Sequence, residues 1–200
     1  MEIKYVPLKL LVKKVKVGFV GSIDSFYCQK NDGYPLLRTL NLTGTGIDYS
    51  DLKYVTKEFF DKNKKSQLHK GDILIARHGD NGKADIFNES FEAQALNVVI
   101  IEPDNTKASS NLIKYYFDMP FVKKQIENLT NGSVQGVINT EQIADLKIPI
   151  IETLNYNKTI NILMNIDNQI KRNNDMVQKL QYYRPTISCF SKKGEMRYVA

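Results

Sequence analysis

The 200-residue chain contains 42% hydrophobic and 25% charged residues, close to the averages for soluble globular proteins, which excludes a wholly disordered or low-complexity chain. Its net charge of +6 favours an anionic partner without specifying one, and its two cysteines are too few for a disulfide scaffold. No apolar run reaches the roughly 20 residues that span a bilayer, and the N-terminal segment lacks a signal-peptide pattern, so we expect a cytoplasmic protein without a membrane partner.

Short apolar runs separated by Gly, Asn, Asp and Pro extend to about residue 151, a pattern typical of mixed β structure. The second and third of four predicted strands would form a hairpin, because the glycines of the tip 79–82 adopt positive φ at little cost. The fourth strand is β-branched and uncharged, and we expect it to be buried and to end at the following proline. The predicted strands are Tyr34–Thr39, Gly71–Ala76, Lys83–Phe87 and Leu96–Ile101.

Two helices interrupt this pattern. Ser109, Ser110 and Asn111 are N-cap candidates for a helix that ends at Asp118. Pro120 opens a second helix, whose apolar positions share one face and which ends at about residue 131.

A long helix is predicted from Lys158 to Tyr183, a segment without Pro or Gly that would measure roughly 40 Å and stop before Pro185. A narrow apolar seam cannot bury itself, so we expect self-association, with packing of the helix onto its own domain as the alternative. Spacings of three and four residues define this heptad seam, which consists of Leu163, Ile166, Ile170, Asn173, Val177 and Leu180.

No enzyme motif is complete. The sequence 79–83 lacks the spacing of a phosphate-binding loop and has Ala84 where a Mg²⁺-binding hydroxyl is needed. The sequence 118–121 differs from the active-site loop of amino-methyltransferases at Met119. His69 and His78 lie nine residues apart without a nearby cysteine, so we predict neither a metal site nor a catalytic site.

Three loops combine glycines with Arg, Lys or amide side chains, which are the groups that read base edges and approach phosphates. The first contains Arg38 in LLRTLNLTGTG, the second runs from Arg77 to Lys83, and the third is NGSVQGVIN at 131–139. The spacing alone leaves open whether these loops bind DNA or are ordinary turns.

These segments together resemble the specificity subunits of type I restriction-modification systems. The resemblance is carried by four segments in this order: GDILIARHGDNGKADIF, ALNVVIIEP, LIKYYF and NGSVQGVINTEQIADLKIPI. A long helix follows the last of them. It implies an α+β fold with a mixed β target-recognition domain at 1–151, followed by a long C-terminal coiled-coil helix in a spacer region at 152–200. One domain and one spacer suggest a half-length subunit, whose two copies would pair their helices antiparallel.

The resemblance further implies a DNA-binding subunit that is not an enzyme and has no cofactor of its own. Its homodimer would read a bipartite, palindromic target in double-stranded DNA. Methyltransferase subunits carrying S-adenosylmethionine would dock on it, and a motor-nuclease subunit would join for cleavage. A regulatory or decoy half-subunit, which binds the methyltransferase without recognising DNA, is the alternative.

The expected DNA-binding residues fall into three groups. Base-edge or groove contacts are assigned to Arg38, Arg77, Lys83 and Gln135. Phosphate contacts are assigned, on charge alone, to Lys62, Lys64, Lys65, Lys123 and Lys124. Close approach of the protein backbone to DNA is assigned to Gly79, Gly82, Ser133 and Gly136.

Overall fold

The computed structural model describes residues 3–79, 82–131, 136–151 and 155–195, and the chain divides into two compact units, 1–154 and 155–200. The helices are α1 (Lys57–Lys62), α2 (Ser110–Asp118), α3 (Pro120–Asn131), α4 (Thr140–Ala144) and α5 (Tyr156–Glu195). The strands are β1 (Ile3–Pro7), β2 (Val12–Val17), β3 (Gly33–Arg38), β4 (Lys53–Thr56), β5 (Gln67–Leu68), β6 (Ile73–Ala76), β7 (Ala84–Ile86), β8 (Ala93–Leu96), β9 (Val98–Pro103) and β10 (Lys147–Ile151).

A four-stranded antiparallel sheet in the order β2-β9-β6-β7 lies at the centre of the first unit. Alternate residues of β6 face two different hydrophobic cores, as the two-residue period of a strand requires. Ile73 and Ile75 pack in a core with side chains of α2 and α3, while Leu74 and Ala76 pack in a core with side chains of β3 and β8. Burial on both faces explains why the β6 sequence is continuously apolar.

The second sheet has the order β4-β3-β8-β5, with β3 and β8 parallel and the other pairs antiparallel. Its outer face carries a smaller core around Phe59 of α1, which Phe19 meets edge-on at a ring distance of 4.9 Å. A separate two-stranded sheet pairs β1 with β10, so that the beginning and the end of the first unit are joined.

The predicted hairpin is confirmed: β6 and β7 pair antiparallel from Ile73 opposite Ile86 to Ile75 opposite Ala84. The prediction of one strand over 96–101 is wrong in detail, because Leu96 ends β8 and Asn97 adopts a positive φ of 53° before β9 begins. The β9 strand also includes Pro103, which pairs with Val12 on the outer strand β2.

Both predicted helices of the first unit are present. The Ser109 side chain accepts a hydrogen bond from the backbone N–H of Leu112, so Ser109 is the N-cap of α2. Pro120 is the first residue of α3, as expected of a residue with no N–H to donate at a helix start.

In the second unit, α5 continues beyond Pro185 to Glu195, so the predicted stop at this proline is wrong. A proline removes one backbone hydrogen bond, a cost that a 40-residue helix can absorb. Four side chains of the predicted seam are 46–61% exposed within the described chain, namely Ile166, Ile170, Val177 and Leu180. Pairing into a coiled coil stays a prediction.

Within the described ranges, no helix has the length and apolarity to cross a membrane.

Candidate nucleic-acid interface

The loops singled out in the sequence meet at one end of the two sheets. Gly18, just after β2, donates its N–H to the Val98 carbonyl at 2.9 Å, and Val98 pairs with Ala76 at the end of β6. Arg38 and Leu96 pair at the ends of the parallel strands β3 and β8. The segments that continue from these strand ends therefore share one surface, called the loop edge here, which consists of residues 18–21, 38–47, 77–79, 82–83 and 96–97.

A buried carboxylate holds the first loop against the hairpin. Asp85 of β7 is 1% exposed and accepts hydrogen bonds from the backbone N–H groups of Gly44 and Gly46, at 2.9 and 2.7 Å. Burial raises the pKa of Asp85, and these backbone hydrogen bonds act in the opposite direction. Asp85 thus joins the first loop to the hairpin, about 40 residues away in the sequence, and no sequence motif points to this role.

The third loop also contacts the hairpin tip. The backbone N–H of Ile138 donates to the carbonyl of Arg77 at 3.3 Å, and the Ile138 side chain is buried in the core that contains α2 and α3. Gly136 adopts a φ of 61°, which favours glycine. Ser133 and Gln135 lie outside the described residues, so the contacts predicted for them have no structural description.

Two predicted base-reading residues of the hairpin lie at this edge. Arg77 follows β6 directly, and burial lowers the pKa of its half-buried guanidinium. The aliphatic stem of Lys83 lies beside Gly44, where an added Cβ would be 3.7 Å from the lysine Cγ. Gly79 is exposed with a φ of 69°, and a Cβ there would meet no described atom within 4 Å, so this part of the backbone is open to a ligand.

Gly82, for which a close approach to DNA is predicted, packs inside the protein. It is buried, and an added Cβ would lie 2.9 Å from Cδ1 of Ile126 in α3. Close packing of α3 on the hairpin therefore accounts for a glycine at this position. Contact with a phosphate is not needed to explain it.

Arg38 is partly committed within the protein. Its Nη2 donates to the main-chain oxygen of Asp51 at 2.9 Å and to the Asp51 carboxylate at 3.3 Å, and its side chain is only 18% exposed. The sequence predicts a base contact for Arg38 and gives no sign of this ion pair. Asp51 fixes the guanidinium at the loop edge, so a DNA contact by Arg38 would involve the part of the group that Asp51 leaves uncovered.

Three of the predicted phosphate-binding lysines line one cleft. The lysine loop, defined as 62–65, forms with Val17, Gly18 and Phe19 an open cleft of about 490 Å³. Asp61 also lines the cleft, but its carboxylate pairs with Lys57 at 2.8 Å. Within the described part of the chain, Lys62, Lys64 and Lys65 have no carboxylate within ion-pair distance. Their charge is therefore available to an anionic ligand.

The lysine loop is held in place by a buried amide. Nε2 of Gln94 on β8 donates to Oγ of Ser66 at 2.6 Å and to the carbonyl of Asn63 at 3.0 Å.

The remaining predicted lysines, Lys123 and Lys124, are exposed on α3 within one turn of Ile126. In the described ranges, no group of three or more His, Cys, Asp or Glu side chains could hold a metal ion.

Comparisons with known proteins agree with this fold. One relative is a Methanocaldococcus jannaschii protein that carries the name of the type I restriction enzyme MjaX specificity subunit. It is 26% identical over 171 residues, which are 82% of this chain and 38% of the relative. The S subunit of a type I restriction-modification system from M. genitalium superimposes with a TM-score of 0.63 at 13% identity, over 92% of this chain and 44% of that one.

The HsdS subunit of Thermoanaerobacter tengcongensis superimposes with a TM-score of 0.53 at 12% identity, over 90% of this chain and 40% of that one. The chain thus spans less than half the length of each of these three relatives. The family model described as the type I restriction modification DNA specificity domain matches residues 20–182. With most of its length matched by that model, the chain belongs to the family of type I restriction-modification DNA specificity domains.

Proposed function

We propose that the loop edge reads the bases of one DNA half-site and that the lysine loop holds the adjacent phosphate backbone. One observation supports this proposal. The three predicted recognition loops meet at the same ends of the sheets as the cleft that the lysine loop lines. Gly18 and Ala76 lie on opposite sides of Val98 in β9. Two strand spacings therefore separate them, a distance of about 10 Å. A single DNA major groove is about 12 Å wide, and one duplex can therefore engage both parts.

Within this surface, the residues divide by chemistry. The guanidinium of Arg77 suits bidentate contact with guanine, and Lys83 suits an acceptor on a neighbouring base or phosphate. Gln135 would contact adenine, and Ser133, Gly79 and Gly136 would allow the backbone close to phosphates. Lys62, Lys64 and Lys65 would bind phosphates from the cleft, with Lys123 and Lys124 extending the positive surface along α3.

The seam of α5 is proposed to pair two copies of the chain. Its exposed isoleucine, valine and leucine side chains form an apolar stripe that water solvates poorly, and Leu163 extends it. Asn173 interrupts the stripe with an amide, which would favour a register that pairs it. Antiparallel pairing would place two identical readers about a twofold axis. Such a dimer would recognise a bipartite palindrome whose spacer is set by the paired helices.

The chain would act without catalysis of its own, as the specificity subunit in the cytoplasm. A methyltransferase partner would supply S-adenosylmethionine and flip the target adenine from the duplex, and a motor-nuclease subunit would add cleavage. This assignment is supported by membership of the family and by the names of the matched relatives, which are specificity subunits of type I systems.

DNA binding is tested by co-expressing the chain with its methyltransferase, identifying the methylated sequence, and titrating that duplex and a scrambled one. Arg77→Ala is expected to weaken binding to the identified duplex by roughly 1–3 kcal/mol and to leave binding to the scrambled duplex unchanged. Lys64→Ala is expected to weaken both equally and to reduce the slope of log K against log salt by about 1. A wild-type complex that methylates no defined sequence, or that binds the identified and the scrambled duplex equally, would favour the decoy function instead.

Self-association is tested by light scattering on the full chain. Ile170→Asp places a charge in the seam and is expected to convert a dimer into a monomer. Met176→Asp is the matched control, because Met176 is 60% exposed but lies outside the seam. A wild-type monomer, or equal effects of the two substitutions, would reject pairing through this seam.

A further inference from the structure

Leu40 is the most exposed large hydrophobic side chain of the described residues. It is 81% exposed, whereas the next in rank, Leu180, is 61% exposed. Its neighbours in sequence are mostly inside the protein: Asn41 is 3% exposed and Leu42 is 4% exposed. Leu40 therefore projects from a segment whose other side chains are anchored in the domain.

The backbone around Leu40 is firmly held. Leu40 is the central residue of a 3₁₀ turn, Thr39–Asn41, whose capping amide, Asn41, accepts from the Arg38 N–H at 2.9 Å and donates to the Asp48 carbonyl at 3.0 Å. The Thr39 hydroxyl donates to the carbonyl of Asn97 at 3.2 Å. These bonds tie the turn at both ends, so the exposure of Leu40 is a fixed feature and does not come from a loose loop.

Leu40 lies at the loop edge, where charges of both signs are present: Arg38, just before the turn, pairs with Asp51. Asn97, which the turn contacts, adjoins Val98, and Val98 pairs with Ala76 directly before Arg77. Lys83 approaches Gly44 in the loop that continues from the same turn. A partner that covers Leu40 and also engages Arg77 and Lys83 would therefore offer an apolar group next to negative charge. Duplex DNA does so, because phosphates flank the major groove and the thymine 5-methyl group is the apolar group on its floor.

We infer that Leu40 contacts the 5-methyl group of a thymine in the major groove and so contributes to sequence specificity. This inference rests on the proposed function, since it requires the loop edge to face DNA. Leu40 supplies a purely apolar contact, and the rigid turn fixes the position of that contact before DNA binds. The neighbouring basic residues would hold the duplex in reach.

The test measures the affinity of the full chain for its identified duplex with each thymine replaced singly by deoxyuridine, which removes only the methyl group. For the wild type, one replacement is expected to weaken binding about fourfold, the effect of exposing one buried methyl group. Leu40→Ala is expected to weaken binding to the thymine duplex and to lose its response to that replacement. Leu10→Ala is the matched control, because Leu10 is 55% exposed beside the opposite end of β2, about 20 Å from Gly18.

The outcomes separate the two proposals. If the wild type prefers its identified duplex but Leu40→Ala retains full affinity, or responds to every deoxyuridine as the wild type does, the Leu40 contact is refuted while DNA reading stands. If Leu40→Ala loses affinity and no single methyl group matters to the wild type, Leu40 is not a methyl contact. If the wild type has no sequence preference, the proposed function fails and the Leu40 contact fails with it. Equal thermal stability of the variants excludes a folding defect.

Discussion

Replacing Asp85 with alanine tests whether one buried carboxylate organises the loop edge. The substitution removes the acceptors of the Gly44 and Gly46 N–H groups, which are bonded at 2.9 and 2.7 Å. Hydrogen bonds to a charged group contribute about 1.5–3 kcal/mol each. Gly46 is exposed, so water can replace part of this loss, and alanine also removes a buried charge whose raised pKa shows that its ionised form is disfavoured there. We therefore expect a net loss of about 2 kcal/mol in the local stability of the loop.

Amide hydrogen exchange reports this loss at the two donors. A decrease of about 2 kcal/mol in the free energy of local opening corresponds to roughly 30-fold faster exchange at Gly44 and Gly46. Asp85→Asn keeps one carbonyl acceptor and should give a smaller increase. Asp104→Ala is the matched control, because Asp104 also accepts from a backbone N–H, that of Thr106, but just beyond the opposite end of β9. Wild-type exchange at both glycines in Asp85→Ala would refute the role assigned to this carboxylate.

Three further predictions concern other positions. Gln94→Ala removes the hydrogen bonds that hold the lysine loop, so denaturant unfolding should show a loss of about 1–3 kcal/mol of stability. Titration should show weaker binding to specific and scrambled duplexes alike. Gly82→Ala should lower the melting temperature, because its Cβ meets Ile126 at 2.9 Å and its φ of 85° disfavours a side chain, and an unchanged melting temperature would contradict the packing. The hydrogen bond from Lys16 lowers the pKa of Glu102, so its stabilisation is present above the ordinary glutamate pKa and is lost as the pH falls through the lowered value. Glu102→Gln should therefore be less stable than the wild type at pH 7, with a difference that closes in acid, as unfolding measured across pH would show.

The assignment of Arg38 illustrates how a sequence can identify a residue without its role. The position was predicted to lie in a recognition loop, and the structure places it at the loop edge. Its pairing with Asp51, 13 residues away, depends on a loop that returns to the end of β3. Charge along the sequence does not reveal such a return, because the path of the loop between the two residues depends on tertiary contacts.

Local features were predictable because their energies arise within a few residues. The hairpin followed from two apolar runs joined by glycines, and the start of α2 followed from a serine able to cap it. The break at Asn97 was missed, because the run 96–101 is otherwise apolar, although asparagine adopts a positive φ more readily than most residues. The packing of both sheets against one another decided that division.

The sequence by itself predicted the β6–β7 hairpin, the helices α2 and α3, a long C-terminal helix and the motifs by which the chain resembles its family. Only the tertiary structure decided that three separate loops meet, that Asp85 joins two of them, and that Gly82 receives Ile126. The reason is that hydrophobic period and capping act between near neighbours along the chain. Burial of a carboxylate, and contact between loops, instead depend on the parallel pairing of β3 with β8 and on two sheets sharing a core, which bring distant residues together.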